Sequence, residues 1–390
     1  MGLFTRTLRS KEDYFTASQA QLIWARFKSK RIAVVAAWVL VGFVLVGIFA
    51  SFLSPHDPTA AGRNPDYTNG APQIPRFCDD AGCTWRPFIH EVERYRGPET
   101  NFRWRTRTTD ARVYLTLFPE GWTYRYFAFE LDLPGEWLDV RFRGIPFTTH
   151  LFGVEEGFIH LFGTDAQGKD IFSRTLHAVG VSLAVGTLGV LISFVLALVI
   201  GGVAGYFGGW IDTALQTLTD AVRTVPAIPL YMALAAFIPD GWSAETRFFF
   251  ISLILGVVGW PTLARRVRTH ILAERHADYV LASRLCGAPA RHVIARHLLP
   301  SFTSYIIVDL VISFPYMVLS ETALSFIGLG LKDPVNSLGV MLQNVTQVDV
   351  MLNYQWYFIP VPIFVALVLA FVFVGDGLRD AADPYAEKTR

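Results

Sequence analysis

The residues in this chain with chemically useful side chains begin with three histidines, His90, His150 and His160, set among carboxylates in the segment 55–178. A hydrolytic or metal-assisted site would need a nucleophile elbow, an H-E-x-x-H pair on one helix face, or ligands at paired spacing. None of these patterns is present, and scattered imidazoles without converging geometry make no site. A membrane-anchored extracytoplasmic enzyme built on 55–178 is therefore the remote reading. Phosphate chemistry fares no better, because Gly168 and Lys169 are followed by Asp170 rather than by the Ser or Thr of a G-x-x-x-x-G-K-[ST] loop. Any nucleotide must be handled by another protein. Cys78 and Cys83 stand five apart in CDDAGC, which suits a small local disulfide better than a metal site that would want more ligands. Cys286 is expected as a free thiol, and nothing in the chain asks for a metal or cofactor of its own.

What remains is charge placed within or between apolar runs. The 390 residues are 52% hydrophobic and 17% charged with a net charge of +1, where a soluble domain carries about 25% charged residues. That balance suits an integral membrane protein and gives no bulk basic excess for nucleic acid. Apolar runs at 32–53, 179–206, 211–238, 248–263, 302–319 and 356–374 are long enough, or nearly so, for spans of about 20 residues. The first is too long for the apolar part of a signal peptide and has no small-residue cleavage site before Pro55, so it reads as a retained anchor. Six spans place both termini on one side. Arginines and lysines crowd the segment before the first span and the segment 264–300, so the positive-inside bias puts both in the cytoplasm.

These elements must position the charges. Residues 1–31 form a cytoplasmic segment in which Ser18 can cap a helix with Leu22, Ile23 and Phe27 on one face and Arg26, Lys28 and Lys30 on the other. Such a helix can lie in the headgroup layer, or act simply as a cationic flank. Residues 32–54 are the first span. In 55–160, FRWRTRT, ARVYLTLF, YRYFAFELDL and LDVRFRGI alternate aromatic or β-branched residues with polar ones, which predicts a small β-rich extracytoplasmic insertion from about 75 to 150. Within the spans, Asp220 and Arg223 can meet on one helix face, and Pro226 and Pro229 must disturb the ladder beyond them. Asp309 is placed deep in the fifth span, where an ionisable group marks either a pathway or a partner contact.

Between the fourth and fifth spans lies ADYVLASRLCGAPARHVIARHLLP, far longer than a connection between packed helices requires. Helix formers up to Cys286, Gly287 for the left-handed end of a helix and Pro289 for the start of the next predict a two-helix hairpin over 276–292. It is either a docking knob for a cytoplasmic partner or a solvated amphipathic connector.

This stretch resembles the Glu-Ala-Ala loop of bacterial ABC importer permeases in Ala282 and Ser283, in Gly287 four after Ser283, and in the Leu299-Pro300 step. HLFGTDAQGKDIFSRTL (160–176), SETALSFIGLGLKDP (320–334), GDGLRDAADP (375–384) and the N-terminal QLIWARFKSKRIAVV are similar to the dipeptide, oligopeptide and nickel permeases of the C-type second subunit. The likeness covers 15–55 and 160–385. Leu281 stands where the general motif has glutamate, Leu338 where many relatives have Trp, and the insertion is longer than in plain peptide permeases.

The resemblance implies a type I ABC importer fold, all-α and polytopic with six transmembrane helices and the β-rich insertion between helices 1 and 2. Residues 161–375 are the permease core and 376–390 a cytoplasmic tail. The expected function is that of a permease subunit in the bacterial inner membrane, passing peptides or, in the alternative, oligosaccharides, opines or metal chelates. Its implied partners are a homologous second permease, two ATPase subunits that bind ATP and Mg, an extracytoplasmic solute-binding protein and the bilayer. Asp278, Ala282, Ser283, Arg284, Gly287, Ala288 and Pro289 are the implied coupling residues. Asp309, Ser320 and Glu321, with Thr322 beside them, are candidates for the path. The glycines Gly201, Gly202 and Gly205 are read as helix packing, and 163–170 with 328–342 as outward surfaces that could receive the binding protein.

Overall fold

A computed structural model of the chain describes residues 19–59, 67–80, 82–98, 105–126, 129–132, 139–154, 157–239 and 241–383. The cap proposed for Ser18 and the last part of the tail fall outside these residues. Helix α1 (Gln19–Ser29) leads through Lys30 into α2 (Arg31–Ile48), which is followed by one further turn, Ala50–Leu53. The core helices are α3 (Ile171–Phe207), α4 (Gly209–Thr224), α5 (Ala227–Ala235) and α6 (Ala244–Glu274). After these come α7 (Asp278–Leu285), α8 (Thr303–Phe326), α9 (Leu338–Val345), α10 (Val348–Asn353) and α11 (Pro360–Ala382).

Between α2 and α3 the alternating segments form strands β1 (Arg76–Asp79), β2 (Gly82–Tyr95), β3 (Arg105–Leu117), β4 (Glu120–Tyr126), β5 (Phe129–Asp132), β6 (Asp139–Phe142), β7 (Ile145–Thr149) and β8 (Phe152–Val154). They pair in the order β1-β2-β3-β8, with β4-β7 and β5-β6 as separate antiparallel pairs. ARVYLTLF is the second half of one long strand rather than a strand by itself.

Among the described residues, five helices are long and apolar enough to cross a bilayer: α2, α3, α6, α8 and the stretch ending in α11. The run 211–238, expected as a sixth continuous span, is instead two helices. Val225, at φ −80 and ψ 129, is extended because it precedes Pro226, and Pro226 supplies no N–H to carry the ladder onward.

Helices α3 and α6 form the centre. In lipid there is little hydrophobic drive between helices, so small residues that let backbones meet decide which helices pair. A Cβ at Gly201 would lie 2.4 Å from Ala264 O, one at Gly205 2.8 Å from Arg268 O, and one at Gly256 2.9 Å from Gly189 O. Gly201 and Gly205 are about one turn apart, and Gly256 meets α3 well before them, at Gly189, so the contact runs along much of the pair. The packing role read for Gly201 and Gly205 is what the helices display.

The two ends of the bundle differ. At one, Lys30 pairs with Asp380 and Arg26 donates to Asp383 O at 3.2 Å, which brings the start of α2 beside the end of α11. At the other, Leu151 N donates to Phe52 O at 2.8 Å, joining the strands to the end of α2. Gly201→Val is expected to lower the thermal midpoint of the detergent-solubilised protein by several degrees, whereas Gly42→Val, with nothing within 4 Å of its Cβ, leaves it unchanged. Equal midpoints for the two variants would contradict backbone contact as the basis of the α3–α6 pair.

Candidate functional site

The hairpin following α6 is built from its turn outward. Gly287 has φ +82, and no atom lies within 4 Å of where its Cβ would be, so backbone conformation alone selects glycine. Its N–H donates to Arg284 O at 3.0 Å and that of Ala288 to Ser283 O at 3.2 Å, closing the end of α7. Pro289 starts the second arm, 290–301. Within this arm Ile294–Leu298 widens into a π turn, and Leu299 N donates to Ile294 O. The widening comes just before Pro300, which has no N–H to give to the preceding turn.

One face of the hairpin is fixed to the bundle. Val280, Val293 and Leu298 are each 0% exposed and pack on Val267 and Ile271 of α6 and on Phe302 and Ile306 at the root of α8. Burial of one such side chain contributes about 1.5–3 kcal/mol, so the hairpin is held by its apolar seam. The opposite face is bare. Leu285 is 90% exposed and Leu281 40%, beside exposed Ala282, Arg284, Cys286 and Pro289. Asp278 is exposed at the start of α7, while Ser283 and Ala288 are half-buried. Arg284 lies over the Tyr206 ring at 5.7 Å.

Above the hairpin, three arginines of α6 reach three carboxylates. Arg265 pairs with Asp220 and Arg268 with Asp212, both on α4, and Arg266 pairs with Asp309 on α8. Asp220 is thus tied to α6 and not to Arg223 of its own helix. Asp309 sits in the first two turns of α8, near the hairpin end rather than deep in the span, because α8 begins only at Thr303. It borders a cavity of about 860 Å³ lined also by Arg223, Arg266, His270, Tyr305 and Tyr316.

The other end holds a buried polar network. Asp165 accepts from the amides of Gln167 and Lys169 at 2.8 and 2.9 Å, and its other oxygen pairs with Arg174. Arg174 Nε donates to Asn336 Oδ1 at 2.6 Å, and Lys169 Nζ to both oxygens of Asp333 at 2.8 and 2.9 Å. Asp170 caps α3 through the Ser173 amide at 2.8 Å. Burial pushes the nearby His56 imidazole down to about 4, which keeps it neutral. The segments 163–170 and 328–342 are therefore locked to each other. Of the first, only Ala166 and Gln167 are exposed, which leaves little of it to receive a partner.

Glu321, a path candidate, is 0% exposed. Ser325 donates to its Oε1 at 2.8 Å, while Ser182 and Thr322 donate to its Oε2 at 3.4 Å. The same hydroxyls accept from the loop, Ser325 from Leu331 N at 3.0 Å and Ser182 from Leu338 N at 3.1 Å. The hydroxyls of Ser325 and Ser182 thus each donate a hydrogen bond to the carboxyl group and accept one from a backbone amide. Through these hydroxyls Glu321 is linked to α3 and to the loop between α8 and α9. Ser320 is half-buried.

The three histidines do not converge. His90 Nδ1 is 3.1 Å from Thr109 O, His150 lies between Ser51 O and Trp122 O, and His160 is 3.7 Å from Asp170. Cys78 and Cys83 are joined across the β1–β2 turn, and Cys286 is free and exposed. Among the described residues no group of three or more His, Cys, Asp or Glu is arranged for a metal ion. Sequence reasoning missed the three arginine ties and the serine relay. The signal for the ties was present in Asp212, Asp220 and Asp309, the carboxylates of apolar runs that need a cation nearby.

Residues 197–388 match the family model described as binding-protein-dependent transport system inner membrane component, and residues 18–72 match the N-terminal TM domain of oligopeptide transport permease C. The dipeptide transport system permease protein DppC of Lactococcus lactis subsp. cremoris is 27% identical over 94% of this chain and 90% of its own length. DppC of Bacillus subtilis is 36% identical over 58% of this chain and 68% of its own. The oligopeptide transport system permease protein OppC of Mycobacterium tuberculosis is 32% identical over 60% of this chain and 79% of its own. Among solved structures, the MetNI methionine ABC transporter in an inward-facing form aligns with a TM-score of 0.42 and 19% identity, over 54% of this chain and 96% of that one.

Glu321→Ala removes the acceptor at the centre of the relay and leaves its hydroxyls without a partner, a loss of about 1–3 kcal/mol for each buried group stranded. Hydrogen exchange at the Leu331 and Leu338 amides is expected to speed up at least tenfold, with the hairpin amides unchanged. Unaltered protection at both would contradict the relay.

Proposed function

As the chain belongs to the family of binding-protein-dependent transport system inner membrane components, it is a permease subunit, and we propose that its hairpin is the lever through which a separate ATPase drives it. It does no covalent chemistry. The carrying observation is the two-faced hairpin. Its inner face is buried against α6 and α8, while on the outer face Leu285, next to the turn, is 90% exposed and Leu281 40% exposed. An exposed apolar tip on a short rigid element fits a groove on a partner. Asp278, Ala282, Ser283 and Arg284, with the turn Gly287-Ala288-Pro289, form the contact with the ATPase.

In this reading the assembly contains a homologous second permease, two ATPase subunits that bind ATP and Mg, and a solute-binding protein outside. The solute path runs between the two permeases, with Asp309 and Ser320 at its border. Glu321 acts from behind as the anchor of the outer loop. Peptide-class solutes are favoured over oligosaccharides or opines, because a relative named as a dipeptide permease aligns over 94% of this chain and so across the insertion. The protein sits in the bacterial inner membrane with both termini in the cytoplasm. The pairing of Lys30 with Asp380 supports an even number of passes, and α4 with α5 supplies a sixth, broken at Pro226. The division into segment 1–31, span 32–54, insertion 55–160, core 161–375 and tail 376–390 follows from that topology. Closure of the ATPase pair moves the hairpins, and the helices rock between discrete packings.

Gly287→Val forces a β-branched residue into the left-handed region, at a cost of about 1–2 kcal/mol. In the assembled transporter in proteoliposomes, peptide uptake is expected to fall about tenfold or more while ATP hydrolysis and membrane insertion persist. A single cysteine at Ala282, in a Cys286→Ser background, is expected to cross-link to the ATPase subunit. Normal uptake by Gly287→Val, together with no cross-link from Ala282, would contradict the lever.

A further inference from the structure

The strand insertion is joined to the helices by more than its two chain ends. Leu151 N donates to Phe52 O at 2.8 Å, and His150, 1% exposed, sets its ring nitrogens 3.0 Å from Ser51 O and 3.0 Å from Trp122 O. Trp122 also packs on His177, in the second turn of α3, with centroids 6.2 Å apart. These contacts hold β4 at the level where α2 ends and α3 begins.

At that level the insertion presents aromatic and aliphatic side chains outward. Leu117, the last residue of β3, is 75% exposed, and Phe118, in the turn to β4, is 58% exposed. Phe118 has φ +57, a conformation uncommon for any residue with a side chain and unfavourable for a bulky one. The turn thus keeps a large ring at the surface in spite of its backbone. That ring stacks on Phe52 at 6.4 Å, and Phe52 continues the lipid-exposed surface of α2, where Ile48 is 56% and Phe49 46% exposed. Along β7, Ile145 is 56% and Phe147 44% exposed, opposite Tyr126 and Tyr124 on β4.

We propose that the Leu117–Phe118 turn and the β7 edge rest in the headgroup layer of the outer leaflet, so that lipid is what covers this face. The patch is continuous with the exposed apolar face of α2 through the Phe118–Phe52 stack, and it consists of two aromatic rings and two aliphatic side chains, Phe118, Phe147, Leu117 and Ile145, whose burial in the apolar edge of the headgroup layer is favourable. The insertion is then seated beside α2 at a fixed height, and Trp85 on β2, 99% exposed, serves as the reference site outside the seat. The inference rests on the membrane topology proposed above.

Nitroxide labels on single cysteines, in a Cys286→Ser background of the full chain within the assembled transporter, test it in nanodiscs of phosphatidylethanolamine and phosphatidylglycerol. The sites are Leu117→Cys, Ile145→Cys, Trp85→Cys and Trp38→Cys, the last lying 71% exposed on α2. Collision with oxygen relative to a water-soluble nickel chelate is expected to be about threefold or more higher at 117 and 145 than at 85. Water-like values at 117 and 145, or shielding there that needs added binding protein, overturn the seat while a lipid-like Trp38→Cys leaves the topology standing. A water-like Trp38→Cys overturns the topology and the seat with it.

Discussion

The backbone contact between α3 and α6 is the constraint on which the other parts depend. At Gly201 and Gly205 there is no room for even a methyl group between α3 and the carbonyls of α6. That contact fixes the angle at which α6 presents Arg265, Arg266 and Arg268 to α4 and α8, and the position of Val267 and Ile271, on which the hairpin is seated. It equally fixes the far end of α3, where Arg174 and Ser182 bond to Asn336 and the Leu338 amide. A side chain between these two helices would displace both ends together.

The two ends are held by different physics. At the insertion end the polar groups are buried and paired. Arg174 and Asp165 are 2% and 7% exposed, and two of the hydroxyls that donate to Glu321, those of Ser325 and Ser182, also accept from backbone amides. Such a network has one good arrangement and resists partial opening. At the hairpin end the ion pairs are more exposed: Arg265 and Asp220 are 42% and 62% exposed, and a pair of that kind contributes at most about 1 kcal/mol, while Arg266–Asp309 and Arg268–Asp212 are partly buried. A permease that rocks between two arrangements needs a firm end and a loosely tied end. The hairpin is the firm piece within the loose end, because its own attachment is an apolar seam.

The elements set by local chemistry were legible in the sequence. The glycine and proline of the hairpin turn marked its two arms, and alternation marked most of the strands. The glycines of 201–205 announced a close helix contact. What could not be read depended on which elements become neighbours. Asp220 has a plausible partner three residues away in Arg223, yet its cation comes from α6. Nothing in the one-dimensional pattern around Glu321 shows that Ser182, far away on α3, donates to it together with Ser325. The loops 163–170 and 328–342 are polar in sequence, which suggests exposure. They are polar because they neutralise each other. The run 211–238 is apolar enough to span the membrane, and its composition hides the break that Pro226 makes.

The central claim is that the hairpin and α6 move as one body when the transporter turns over. Spin labels at Ala282 on the hairpin and at Val257 on α6, in the assembled complex, allow their separation to be measured by pulsed dipolar spectroscopy with the ATPase empty and with ATP trapped. The account predicts the same separation in both states. A change larger than the width of the distance distribution would mean that the hairpin swivels on its own root, and would contradict it.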